Sequence, residues 1–285
     1  MPGSTTLYAW TVPAFTSGSP VDHTWVTDYD NRINAYPTDA KVAAAGQFYW
    51  YCWGSFHPVG GTPTNASGFL GSQVGNLALA QCLVQANADS RTTPAARGTI
   101  FVYGVDGVCH QLANQVLYAT GAGAAGPLTV RLARGYMAST FIYGTYGLQH
   151  AAWASKIAAC SGTRLVPPAG AGGATMTAGA GTPTGPDDFE TRAREVLGQG
   201  DQRLLDLLRL RSDVQQFTAR AWPGTSQPSA EALNARNQHM LDEAAKLLGP
   251  DDFKSIFGIA PGEKIDLVDK EISGSAGQIP PPRSR

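Results

Sequence analysis

One segment of the chain sets a reactive side chain where backbone physics favours its charged form. It runs GTIFVYGVDGVCHQLANQVLYATG, an apolar strand-like run, a tight Asp-Gly turn, and then Cys109 in the first turn of a helix. Unpaired N–H groups at a helix start stabilise negative charge, so a thiolate there has a lowered pKa. The same N–H groups can hold the oxyanion formed when a thiolate attacks a carbonyl. Such a thiol needs a base, usually His, held by a third polar group.

The sequence has five histidines. His23, in SPVDHTWVTDYD, stands at the start of an expected strand and is the first candidate base. His110 adjoins Cys109, but neighbours on a helix point about 100° apart, which makes it a poor partner. His57 follows an aromatic strand, His150 lies past the last expected strand, and His239 falls in a charged helical region. Tyr49, Tyr51 and His57 are candidates for the third member, with Asp28 and Asn34 as further options. Gln111 and Asn114 can line the same site.

Short aromatic and β-branched runs must position these groups. LYAWTV (7–12), HTWVTDY (23–29), FYWYCW (48–53), TIFVYG (99–104), LTVRLARGY (128–136) and STFIYGTYG (139–147) have strand character. LALAQCLVQAN (77–87) and VCHQLANQVLYAT (108–120) have helical spacing, the second with Asp106 as a cap and Gly121 as a stop. Strands with inserted helices define an α+β region over residues 1–160. Residues 161–186 are Gly/Ala/Pro/Thr-rich and form a linker. From 187 to 260 the chain turns amphipathic: DDFETRAREVLG, DQRLLDLLRLRSDVQQFTARAW, SAEALNARNQHMLDEAAKLLG and PDDFKSIFG predict capped helices, two of them long enough for an α-hairpin with a third packed on it. Residues 261–285, ending in GQIPPPRSR, are expected to be a tail.

A histidine on a strand that precedes a cysteine at a helix start resembles the circularly permuted branch of the NlpC-type papain-like cysteine peptidases, which includes the lecithin-retinol acyltransferase-like proteins. The resemblance covers about residues 7–147 and rests on residue order. It implies a permuted papain-like domain with an antiparallel sheet and a Cys-bearing helix, followed here by a small α-helical domain. It also implies a thiol-dependent hydrolase (peptidase or amidase) or acyltransferase working through a cysteine thioester, with Cys109 as nucleophile and His23 as general base. Its substrate would be a peptide, an amide or an acyl compound.

The alternative is a non-catalytic binding or structural module, with an aromatic-rich β region and helices that mediate assembly. Free cysteines are often simply buried, and core packing suits Cys52 and Cys82; Cys160 adjoins the linker. The aromatic residues Trp10, Trp25, Trp50 and Trp53 suit sheet core better than a ligand cage.

Composition narrows the classes further. Charged residues make up 15% of the chain, below the roughly 25% of an average soluble protein, and the net charge is -1. No basic run marks a nucleic-acid partner. Apolar stretches break before 18 residues, so no membrane span is expected. No secretory signal is recognisable, which leaves a cytoplasmic location or export by another route. The cysteines and histidines lack zinc spacing, and the Gly clusters GAGAAGP and GAGGA follow no strand-to-helix fingerprint, so neither metal nor nucleotide cofactor is expected. A protein partner could dock on the C-terminal helices.

Overall fold

The computed structural model describes residues 4–13, 21–27, 30, 49–50, 68–76, 104–120, 128–148, 187–221 and 228–268. Four strands form an antiparallel sheet in the order β3-β2-β1-β4: β1 (Ser4–Pro13), β2 (Asp22–Thr27), β3 (Tyr49–Trp50) and β4 (Gly68–Asn76). Among the described residues six helices follow: α1 (Cys109–Thr120), α2 (Tyr136–Tyr143), α3 (Asp188–Leu197), α4 (Gln202–Ala221), α5 (Ala230–Leu248) and α6 (Pro250–Phe257). The chain is a mixed α+β protein, as the alternation of segment types predicts.

Period-two alternation sorts β1 into two faces. Leu7 and Ala9 are fully buried on one face, toward α1. Gln73, opposite Leu7 in the register, marks that face: its Nε2 donates to Leu117 O at 2.5 Å, and its Oε1 accepts Leu128 N–H at 2.9 Å. Tyr8 and Trp10 lie on the other face, where Trp10 and Phe69 rings stand 5.4 Å apart. In β2, Thr24 and Val26 pair with Thr11 and Ala9 and share the α1 face.

Strand β4 is not evident from the sequence pattern, because three glycines in GFLGSQVGN hide its alternation. Two expected strands are corrected. LTVRLARGY (128–136) is irregular and turn-rich up to Gly135, and STFIYGTYG (139–147) holds the later part of α2 and the irregular chain after it. β-propensity loses there because the segment is buried against α1 and the later helices, and its backbone groups find partners without a sheet. Ser139 N–H bonds Gly135 O at 3.0 Å and Gly144 N–H bonds Thr140 O at 2.8 Å. The helical expectation at 77–87 and the strand run 99–103 lie outside the described residues, as does the linker 161–186.

The C-terminal helices begin and end where the sequence predicts. Asp187 caps α3 by accepting Glu190 N–H, Ser229 caps α5 by accepting Ala232 N–H, and glycines follow α3, α5 and α6. They share a core with α2: Phe141, Phe189 and Phe257 form a triangle with ring centroids 5.2–5.5 Å apart. The packed region runs past the expected boundary at 260. Ile265, Leu267 and Val268 are buried, and Asn234 both donates to Val268 O and accepts Val268 N–H, each at 2.8 Å. No helix among the described residues is long and apolar enough to cross a membrane.

Candidate functional site

Gly104–Gly107 closes the turn before α1 with a 2.7 Å bond from Gly104 N–H to Gly107 O. Gly104 has φ +80, and a Cβ there would stand 2.8 Å from Leu233 Cδ1 and 2.9 Å from Val268 Cγ1, so only glycine fits. The first intrahelical bond runs from Leu112 N–H to Val108 O at 3.2 Å. The helix start is capped from inside: Gln111 Oε1 accepts Val108 N–H at 3.0 Å, the reciprocal half of a capping box. Asp106, the cap that the sequence predicts, is buried, and its carbonyl receives Leu148 N–H at 2.8 Å. The N–H groups of Cys109, His110 and Gln111 therefore point out of the helix start, and no acidic residue occupies the first turn.

Cys109 carries a thiol, not a disulfide, and is 4% exposed. Its Sγ donates to the backbone carbonyl of Asp22 at 3.8 Å. Asp22 is the first residue of β2 and directly precedes His23. The fold thus brings the Cys109 helix start to the strand start that bears the candidate base. The register pairs His23 with Val12, and strand alternation sets its side chain on the sheet face opposite Thr24, the Tyr8 and Trp10 side. His23 is buried. Tyr49 pairs with Thr27, four residues along β2 from His23, about 13 Å at strand rise. Tyr51, His57, Asp28, Asn34, Cys52, Cys82 and Cys160 lie outside the described residues.

Asp22 is tied on every side. Its N–H donates to Arg134 O at 2.9 Å, and its Oδ2 accepts Thr11 Oγ1 and Arg134 N–H, each at 3.0 Å. Gly135, with φ +80, lets this turn close on β2; a Cβ there would stand 2.9 Å from Val21 Cγ2.

His110, set aside in the sequence as a poor partner for Cys109, is the residue sequence reasoning missed. It is fully buried, with Nε2 3.0 Å from Asp22 O and Nδ1 2.8 Å from Ser139 Oγ. Tyr136 meets its ring edge-on at 5.8 Å. Burial pushes the imidazole down to about 4 despite the Asp22 carbonyl and carboxylate, so it is neutral at pH 7. The one available signal was its place in a stripe of polar residues, His110, Gln111, Asn114 and Gln115, on an otherwise apolar helix.

That stripe is a clamp on the irregular segment rather than a site lining. Gln111 donates to Gly144 O at 3.0 Å; Asn114 donates to Thr145 O and Tyr136 Oη and accepts Val130 N–H; Gln115 donates to Tyr146 O at 2.6 Å. Among the described residues no group of His, Cys, Asp and Glu is arranged to hold a metal ion.

Comparison with protein-family models finds no match. Searches of curated proteins and of solved structures likewise return no similar protein.

Proposed function

We propose that the chain is a thiol-dependent hydrolase or acyltransferase of the permuted papain-like type. Cys109 would attack an amide or ester carbonyl, and His23 would take the thiol proton and return it to the leaving group. The carrying observation is the 3.8 Å approach of Cys109 Sγ to the carbonyl of Asp22, the residue next to His23. Two positions far apart in sequence, singled out by residue chemistry, lie at one junction of helix start and strand start. Helix-start N–H groups supply the oxyanion donors. Alternation sets His23 on the sheet face away from α1, so proton transfer requires the start of β2 to rearrange until the imidazole reaches Sγ.

Native protein treated with iodoacetamide near pH 7 tests this. Cys109 is expected to label faster than Cys52, Cys82 and Cys160, and His23→Ala to slow it by about tenfold or more. Labelling of Cys109 only after denaturation, or a rate indifferent to His23, overturns the reading.

A second reading, a structural or binding module, is favoured by the burial of Cys109 and by the thiol proton resting on a backbone carbonyl. Under it, Cys109→Ala leaves every binding property intact and no acyl adduct forms.

A further inference from the structure

The carbonyl oxygen of Asp22 is shared. It receives the thiol of Cys109 at 3.8 Å and Nε2 of His110 at 3.0 Å, two donors from consecutive residues of one helix turn. A carbonyl has two lone pairs, and the shorter N–H bond takes the greater part of its acceptor strength. We propose that His110 is a positioning residue for the Cys109 thiol: by holding the Asp22 carbonyl it pins the start of β2 to the start of α1 and keeps the thiol proton loosely bound. This rests on the thiol chemistry proposed above.

The ring is built for that task. Nε2 faces an atom that only accepts, so it carries the hydrogen, and Nδ1 must then accept. Ser139 Oγ lies 2.8 Å from Nδ1 and 2.8 Å from Tyr136 O; its single hydrogen serves one of these two acceptors at a time, and it reaches Nδ1 by turning from Tyr136 O. Gln111 Nε2 donates to Ser139 Oγ at 3.2 Å and fixes its place. The ionisable groups facing the ring are the Asp22 carboxylate, turned to Thr11 and Arg134 N–H, and the Tyr136 phenol, turned to Asp188. Burial, with the charge of Asp188, holds that phenol well above its usual range, so it stays a donor. Without the imidazole, the Asp22 carbonyl would have the thiol as its partner. The S–H form would be stabilised, the thiolate would face a carbonyl dipole, and the Cys109 pKa would rise.

Two substitutions separate positioning from packing. Gln places an amide N–H near the position of Nε2; Asn reaches only as far as Nδ1. Both are polar and smaller than His, so both perturb packing. The measurement is the pH profile of Cys109 alkylation by iodoacetamide in wild type, His110→Gln, His110→Asn and Ser139→Ala, with thermal unfolding of each. His110→Asn is expected to move the profile upward by about one pH unit, a roughly tenfold slower reaction at pH 6.5, and His110→Gln to stay within about twofold of wild type. Ser139→Ala should fall between them, because the ring keeps its bond to the Asp22 carbonyl but loses its Nδ1 neighbour.

Identical profiles for Gln and Asn variants, with wild type still depressed and still dependent on His23, would sink the role of His110 while leaving the thiol reading intact. An ordinary wild-type thiol profile, with a midpoint near about 8.5, would overturn both.

Discussion

His110 also makes a prediction about stability. Its ordinary pKa of 6.5 falls to about 4 in the folded chain, because burial disfavours the charged ring. Between those values the unfolded chain binds the proton and the folded chain does not. The stabilisation is complete above pH 6.5 and is lost as pH falls through that window toward 4, reaching about 3 kcal/mol. Urea unfolding at pH 7 and pH 4.5 should show a larger loss in wild type than in His110→Gln, which cannot titrate. Equal losses would place the acid sensitivity elsewhere. At this scale the sequence was legible for Cys109, since strand, turn and helix start are local features. It was not legible for His110. A histidine on a helix reveals its acceptor only when a strand from 88 residues away arrives beside it.

Elements tell a similar story. The capped amphipathic helices are plain in the sequence because cap, period and stop all lie within one segment. The segment 128–148 is not. Its Thr, Val, Phe and Tyr residues have strand propensity, yet its carbonyls are claimed by the α1 polar stripe. Asn114 alone makes three bonds to the segment, donating to Thr145 O and Tyr136 Oη and accepting Val130 N–H, all buried. Asn114→Ala should therefore cost about 3 kcal/mol or more in denaturant unfolding, since buried backbone groups lose partners. A loss under about 1 kcal/mol would mean that the clamp is not what holds this segment. Gly104→Ala should destabilise too, by about 1–3 kcal/mol, because the positive φ and the contact with Leu233 act together.

For the whole molecule, the sequence suggested two regions divided by a linker. The described residues form one core. Arg211 makes a buried, two-pronged ion pair with Asp187 and donates to Thr140 O of α2 at 3.1 Å. Asp188, the next residue, accepts Tyr136 Oη at 2.8 Å and Thr129 Oγ1 at 2.9 Å. One acid thus faces the helices and its neighbour faces the α1–α2 region, a division of labour invisible without the tertiary contacts. Asp187→Asn should leave Arg211 buried and poorly paired, costing about 3–5 kcal/mol. Calorimetry should show both regions melting together in wild type; two separated transitions would mean that the helices fold alone.

The contact of Val268 with Gly104 orders events in time as well as in space. A growing chain leaves the ribosome N-terminus first, and its early parts begin to fold before the late parts exist. The turn that aims Cys109 emerges early, but part of its packing surface is supplied by a residue made more than 160 positions later. Leu233 and Val268 must both be synthesised before that turn is enclosed. The Cys109 turn is therefore enclosed only once Val268 has been made, and a nascent chain stalled before α5 would carry Cys109 on an unfinished frame.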